Sequence, residues 1–149
     1  MIRIRSTRFG DVDVADEATI VFEGGLFGFP QETEFVLLEH PDSKDFGYLQ
    51  SKRTAWLAFP VMDATLLAPA YPVPNPSVIA EAAGLGTKEL AMLLILIADA
   101  QGSIEVNLLA PLVIDLETRK GAQVMLDPTR YSSRFSLRDG ETKAEAPNR

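Results

Sequence analysis

The stretch Asn107-Leu-Leu-Ala-Pro-Leu-Val-Ile-Asp115, followed by Arg119-Lys-Gly-Ala-Gln123, decides the fold class of this chain. It reads as an apolar strand, an interrupting proline and a second apolar strand, then a polar turn and a third strand running through Met125. Pro111 has no amide donor, so it can stand only at a bulge, an edge or a corner where the chain changes direction. Corners between short strands belong to a compact β-barrel or sandwich rather than to a helical enzyme scaffold. Nothing in the stretch suits catalysis, which points to a protein that works by holding something.

The flanking sequence extends the pattern. Ile2, Ile4 and Ser6 alternate with arginines, and Val12-Asp-Val14 alternates again after a turn at Phe9-Gly-Asp11. Thr19–Phe22, Phe35–Leu38, Phe46–Ser51 and Trp56–Val61 read as further strands, the last two joined by Lys52-Arg-Thr54. Leu90–Ala98, Ile104–Leu109, Leu112–Leu116 and Gln123–Leu126 complete the set. The run from Leu90 has no charge before Asp99, which favours a strand covered on both faces over a helix. Many short strands separated by Gly, Pro and Asp predict a mainly β, single-domain, barrel-like fold over residues 1–137.

One short helix is predicted near residues 76–83. Asn75-Pro-Ser77 offers its start, Val78–Ala83 its propensity, and Gly84 and Gly86 its end. Pro69, Pro72 and Pro74 ahead of it favour extended chain at the surface. Residues 138–149 contain nothing to bury and predict a disordered tail.

The 149 residues carry 46 % hydrophobic side chains, enough for one core without staples. No cysteine is present, so disulfides and thiolate metal sites are excluded. Met1-Ile-Arg-Ile-Arg-Ser6 lacks a signal-peptide core, and the longest apolar run is too short to span a bilayer, so a cytoplasmic protein without membrane association is expected. Net charge is −7, and ten acidic residues against Lys44 alone put −9 between Asp11 and Asp45. That balance disfavours direct nucleic-acid binding and suits either simple solubility or a basic protein partner.

The search for chemistry is nearly empty. His40, the one histidine, precedes Pro41 among acidic residues and reads as surface decoration. No nucleophile elbow, calcium loop or zinc pattern occurs, and no cofactor is implied. Gly24-Gly-Leu-Phe-Gly-Phe-Pro30 lacks the Lys-Ser/Thr end of a phosphate loop. Its mechanical reading is a tight loop with Phe29 anchored in the core and Phe27 at the tip as a candidate contact. Gln50, Ser51 and Asp63 read as polar groups satisfying backbone donors at strand ends. Tyr131-Ser-Ser-Arg134 reads either as a C-terminal clamp on the barrel or as a basic rim.

Taken in order, these pieces resemble the FliW family of flagellar assembly factors. The matching stretches are Phe22-Glu-Gly-Gly-Leu-Phe-Gly-Phe29, Tyr48-Leu-Gln-Ser51, Leu57-Ala-Phe-Pro-Val61 with Asp63, and Pro69-Ala-Tyr71. Asn107–Ile114, Arg119–Gln123 and Asp127 with Tyr131 and Arg134 follow. The resemblance covers residues 1–137. It implies a small β-barrel-like domain, not an enzyme, that binds flagellin before export. When free, such a protein binds the carbon storage regulator CsrA, a basic dimeric RNA-binding protein, and relieves its repression of flagellin translation. From motif position and expected exposure, partner contacts are assigned to Phe27, Glu32, Glu34, Gln50, Tyr71, Asn107, Tyr131 and Arg134. Leu109, Asp115, Ala64 and Phe27 depart from the family's common Lys, Asn, Pro and Pro. Two alternatives stand beside this expectation: a flagellin chaperone without a regulatory arm, and a small carboxylate-dependent hydrolase using Asp11 or Asp13.

Overall fold

Alternation in the first strands sorts charge from apolar surface. β1 (Ile2–Ser6) and β2 (Gly10–Val14) pair antiparallel, with Ile2 opposite Val14 and Ile4 opposite Val12. The other face pairs Arg3 with Asp13 and Arg5 with Asp11, opposite charges across the strands. This hairpin stands apart from the main sheet. The computed structural model describes residues 1–67, 74–98 and 100–137.

The main sheet comprises β3 (Ile20–Phe22), β4 (Glu34–His40), β5 (Ser43–Ser51), β6 (Ala58–Asp63), β7 (Leu90–Ala98), β8 (Ile104–Val106), β9 (Leu112–Asp115), β10 (Lys120–Gln123) and β11 (Phe135–Ser136). Consecutive antiparallel pairings run from β3 to β7, β10 pairs parallel to β3, and β9 pairs with both β10 and β7. The loop of seven strands is therefore a closed barrel, which removes the sheet edges. β8 and β11 extend from the far end of β7.

Two apolar clusters explain the patterning. Alternate residues of the barrel strands, among them Phe22, Phe35, Leu49, Val61, Leu93 and Ile114, form one core. Met62, Met92, Leu94 and Val113, on the opposite face, form the second beneath α1 (Pro76–Ala82) with its Ile79 and Ala80. β7 is thus buried on both faces, which is why it shows no polar alternation. Gly121 allows β10 its approach to β3, since a Cβ there would lie 2.6 Å from the Phe22 ring.

The helix starts as its sequence predicts. Asn75 accepts the Ser77 amide at 2.9 Å, Pro76 occupies the first turn, and Gly84 terminates it at φ +78°. The proline run at 68–73 and the predicted tail at 138–149 lie outside the described residues.

Three strand expectations need correction. Trp56 does not begin a strand: the Leu57 amide bonds to the Thr54 carbonyl, and this tight turn leaves Trp56 68 % exposed at its tip. β8 stops at Val106, because the Asn107 carboxamide accepts the amides of Leu109 and Ala110, each at 3.0 Å, and bends the chain. Asn107–Ala110 is therefore a loop, with Pro111 at the corner before β9. The strand expected over Gln123–Leu126 runs earlier, at Lys120–Gln123, since Arg119 takes a left-handed conformation (φ 61°) and closes the turn before it. Val124 and Leu126 still bond to Pro111 and Leu109 beyond the strand.

Candidate functional site

The outer face of β5, β6 and β7 is the part of the barrel from which a binding site can be built. α1 covers one end of it. The β1–β2 hairpin covers the other, through a polar knot centred on Gln50. The Gln50 Oε1 accepts the Ser6 hydroxyl at 2.8 Å, and its Nε2 faces the carbonyls of Ser51, Thr54, Ala55 and Leu57 at 3.0–3.3 Å. Gln50 is fully buried, so the partner contact expected of it is corrected to an internal role. It serves backbone acceptors more than the donors that the sequence suggested.

Between these covers the face is bare. Phe46, Tyr48, Pro60, Leu96, Ile97 and Ile104 line a groove of about 450 Å³, to whose surface almost no polar atom comes. Its origin is local. The β6–β7 ladder ends at Val61 opposite Ile95, and Pro60 has no N–H with which to continue it. From Leu96 onward β7 pairs with β8 along its opposite edge, and the edge that faced β6 has no ladder partner among the described residues. On this β7–β8 arm Ile97 and Ile104 remain 41 % and 43 % exposed.

His40 forms one wall rather than mere decoration. Its ring stacks on Tyr48 at 5.9 Å, and its Nδ1 accepts the Asp42 amide at 3.0 Å. Arg8 lies over the same tyrosine ring, 4.6 Å from its centre, without lining the groove. Glu39, Asp42 and Asp45 stand exposed around the β4–β5 turn, where Glu39 and Asp45 open onto a second hollow beside Leu37, Gly47 and Val61 rather than onto the groove.

Five other carboxylates of the acidic segment are engaged. Asp13 pairs with Arg3 at 3.0 Å, Asp16 with the amino terminus at 3.6 Å, Glu23 with Lys120 at 3.7 Å and Glu34 with Lys52 at 3.3 Å. Glu32 accepts the hydroxyls of Ser51 and Thr54, which hold its carboxyl below the usual range against a smaller opposing effect of burial. Asp115 is buried beside Gly86. Burial alone would raise its pKa, but the Thr118 hydroxyl and the amides of Glu117, Thr118 and Gly86 leave it lowered.

Of the eight assigned contacts, the structure leaves Phe27, Glu34 and Arg134 exposed. Phe27 is 51 % exposed above a hollow between the glycine loop, β10 and the end of α1, its amide donating to the Gln123 Oε1 at 2.7 Å. Leu26, rather than Phe29, is the deeply buried anchor of this loop, while Phe29 packs edge-on against Phe59. Gly25, at φ +69°, permits that turn. Arg134 forks onto Glu105 at 2.8 and 2.9 Å, and the Leu108 amide bonds to the Ser132 carbonyl. The Tyr131–Arg134 segment is therefore a clamp on β8. Glu32, Asn107 and Tyr131 are half-buried, and Tyr71 lies outside the described residues. These positions do not converge on one site.

The groove residues escaped the sequence reading. The signal available was Pro60 inside a strand opposite the uncharged β7, a pairing that no single strand reveals. Among the described residues, no group of three or more His, Asp and Glu side chains could hold a metal ion. Nor is any helix long and apolar enough to cross a membrane.

Comparison with known proteins gives one answer. A family model described as FliW protein matches residues 3–137. A flagellar assembly factor FliW from Heliobacterium modesticaldum is 36 % identical over 147 residues, covering 97 % of this chain and 96 % of that protein. Another, from Desulfitobacterium hafniense, is 34 % identical over 148 residues, with 98 % and 97 % covered. A crystal structure of the flagellar assembly factor FliW superposes with a TM-score of 0.78 at 31 % identity, covering 91 % of this chain and 96 % of that one.

Proposed function

The chain belongs to the FliW family of flagellar assembly factors, and on that premise we propose that it is a cytoplasmic, non-enzymatic factor that binds flagellin and, when free, binds and antagonises CsrA. The observation that carries this reading is the match along nearly the whole barrel to proteins named flagellar assembly factors. Residues 1–137 act as one binding unit. The acidic excess between Asp11 and Asp45 supports a basic regulator as one partner. The bare apolar groove supports a helical protein segment as the other. Export of flagellin would then free the factor to take up the regulator and relieve repression.

The test is to mix the purified full chain with flagellin and with CsrA, singly and together. Both should bind alone, and added flagellin should displace CsrA. Binding of flagellin without CsrA would reduce the protein to an export chaperone. Simultaneous binding of both would defeat the partner switch. Charge reversal at Glu34 and Glu39, exposed carboxylates of the acidic segment, should weaken CsrA more than flagellin. Equal loss would argue against separate surfaces.

A further inference from the structure

We propose that the β4–β5 turn is a proton-sensitive wall of the groove: neutral His40 holds it in place, and protonation of that imidazole releases it. The switch belongs to the free protein and is independent of which partner the groove receives.

The geometry starts from one hydrogen bond. The Asp42 amide donates to His40 Nδ1 at 3.0 Å, so that nitrogen carries a lone pair and the proton of the neutral ring sits on Nε2. An imidazolium has a proton on both nitrogens and no acceptor left. Protonation therefore aims one donor at another, and the bond is lost. Little else holds the tip of the turn. Only Pro41 and Asp42 lie between the paired residues His40 and Ser43, and Pro41 has no amide, so the Asp42 N–H is the one backbone donor of the loop. Behind it the pairing jumps from Glu39 opposite Gly47 to His40 opposite Ser43, which leaves residues 44–46 without a partner on β4.

The same ring belongs to the groove. His40 lines it beside Ser43 and stacks on Tyr48, with centres 5.9 Å apart and planes 19° from parallel. Arg8 already lies over that tyrosine, 4.6 Å from its centre, so the imidazolium brings a second cation to one ring. Freed from the Asp42 amide and repelled by the guanidinium, the His40 ring leaves the tyrosine and the wall goes with it. The charged residues around it are Arg8 from the β1–β2 hairpin, Glu39 and Asp42 on either side in sequence, and Lys44 and Asp45 at the start of β5; Tyr48 is the titratable group in contact. β6, β7 and β8 bring Pro60, Leu96, Ile97, Ala98 and Ile104 to the groove, none of which titrates. His40 is the one histidine of the chain, and histidine is the side chain whose charge ordinarily changes between about pH 5 and 8.

The test is an NMR titration of the full chain across that range. At the alkaline end the His40 nitrogens should report the Nε2–H tautomer. As the pH falls, the Asp42 amide proton should move upfield with the midpoint of the His40 ring, and the Tyr48 ring and the methyl groups of Ile97 and Ile104 should follow the same curve. His40→Asn supplies a carboxamide oxygen that takes the amide two residues on, as in an Asx turn, and does not titrate. With every other titratable group in place, its Asp42 and groove signals should stay flat. His40→Phe keeps an aromatic ring without an acceptor and should show, at the alkaline end, the Asp42 shift that the parent reaches only in acid. His40 is half-buried at a turn, so both variants should keep the parent's circular dichroism; if the phenylalanine variant does not, the parent and the asparagine variant decide.

An Nδ1–H tautomer at the alkaline end would overturn the proposal, as would an Asp42 amide that stays in place while the His40 ring titrates. Groove signals that ignore the His40 midpoint would defeat the moving wall. So would the parent's titration curve persisting in His40→Asn, because another group would then be its source.

Discussion

β5 has two ends that face the same way and meet opposite fates. At Gln50 the outer face is polar, fully buried and covered by the β1–β2 hairpin, with the carboxamide bonded on both sides. At Phe46 and Tyr48 the face is apolar and open. A buried carboxamide is tolerated only when its hydrogen bonds are met, so the Gln50 end specifies a single internal partner. An apolar surface makes no such demand, and it accepts whatever apolar partner fits. The covered end builds the fold, and the bare end is free to recognise.

That contrast predicts a separation of stability from binding. The largest effect belongs to Gln50→Leu. It strands the Ser6 hydroxyl and several carbonyls in a buried site and should cost about 3 kcal/mol in chemical denaturation, leaving affinity for flagellin unchanged in the folded fraction. An undiminished stability would mean that the hairpin is not held by this knot. Gly121→Ala comes next, at about 2 kcal/mol, because the added methyl meets the Phe22 ring where β10 crosses to β3. Calorimetry checks it, and flagellin affinity should again be unmoved.

A smaller loss, about 1 kcal/mol, is expected for Glu32→Gln, which removes an anion that accepts two hydroxyls. Its pH dependence sharpens the point. The folded-state carboxyl is held below its ordinary value of 4.5. The parent's margin over the variant should therefore be full above that value and disappear as pH falls through the lowered one. A margin independent of pH between 3 and 7, in thermal midpoints spanning roughly that range, would contradict the hydroxyl cradle. The smallest effect is that of Lys52→Ala, about 0.5 kcal/mol or less, since Glu34 is half exposed and its ion pair is screened. Raised salt should erase the difference.

The strands were largely legible before any coordinates, and so was the helix, because period-two alternation and the Asn-Pro-Ser start are local signals. β7 was readable as doubly covered because it has no charge from Leu90 to Ala98. The misses share one cause. Trp56, Asn107 and Gln50 each have the composition of the neighbouring strand, but a turn hydrogen bond or a distant partner decides what each does. Gln50 read as a strand-end group meeting backbone donors and as a partner contact until Ser6, 44 residues away, was placed on it. The assigned contacts fared unevenly for the same reason, since family position marks residues that build the barrel as readily as residues that touch a partner.

The sequence by itself determined the mainly β class, the short helix, the absence of cysteine chemistry and the family. Each follows from local pattern or composition, which need no knowledge of what packs where. Only the tertiary structure decided that the barrel closes through β7 and β9, that Gln50 is sealed inside, and that Phe46, Tyr48 and Leu96 share an uncovered groove with Ile97 and Ile104. Those facts depend on register between strands far apart in the chain and on which parts of an apolar face the hairpin and helix fail to reach.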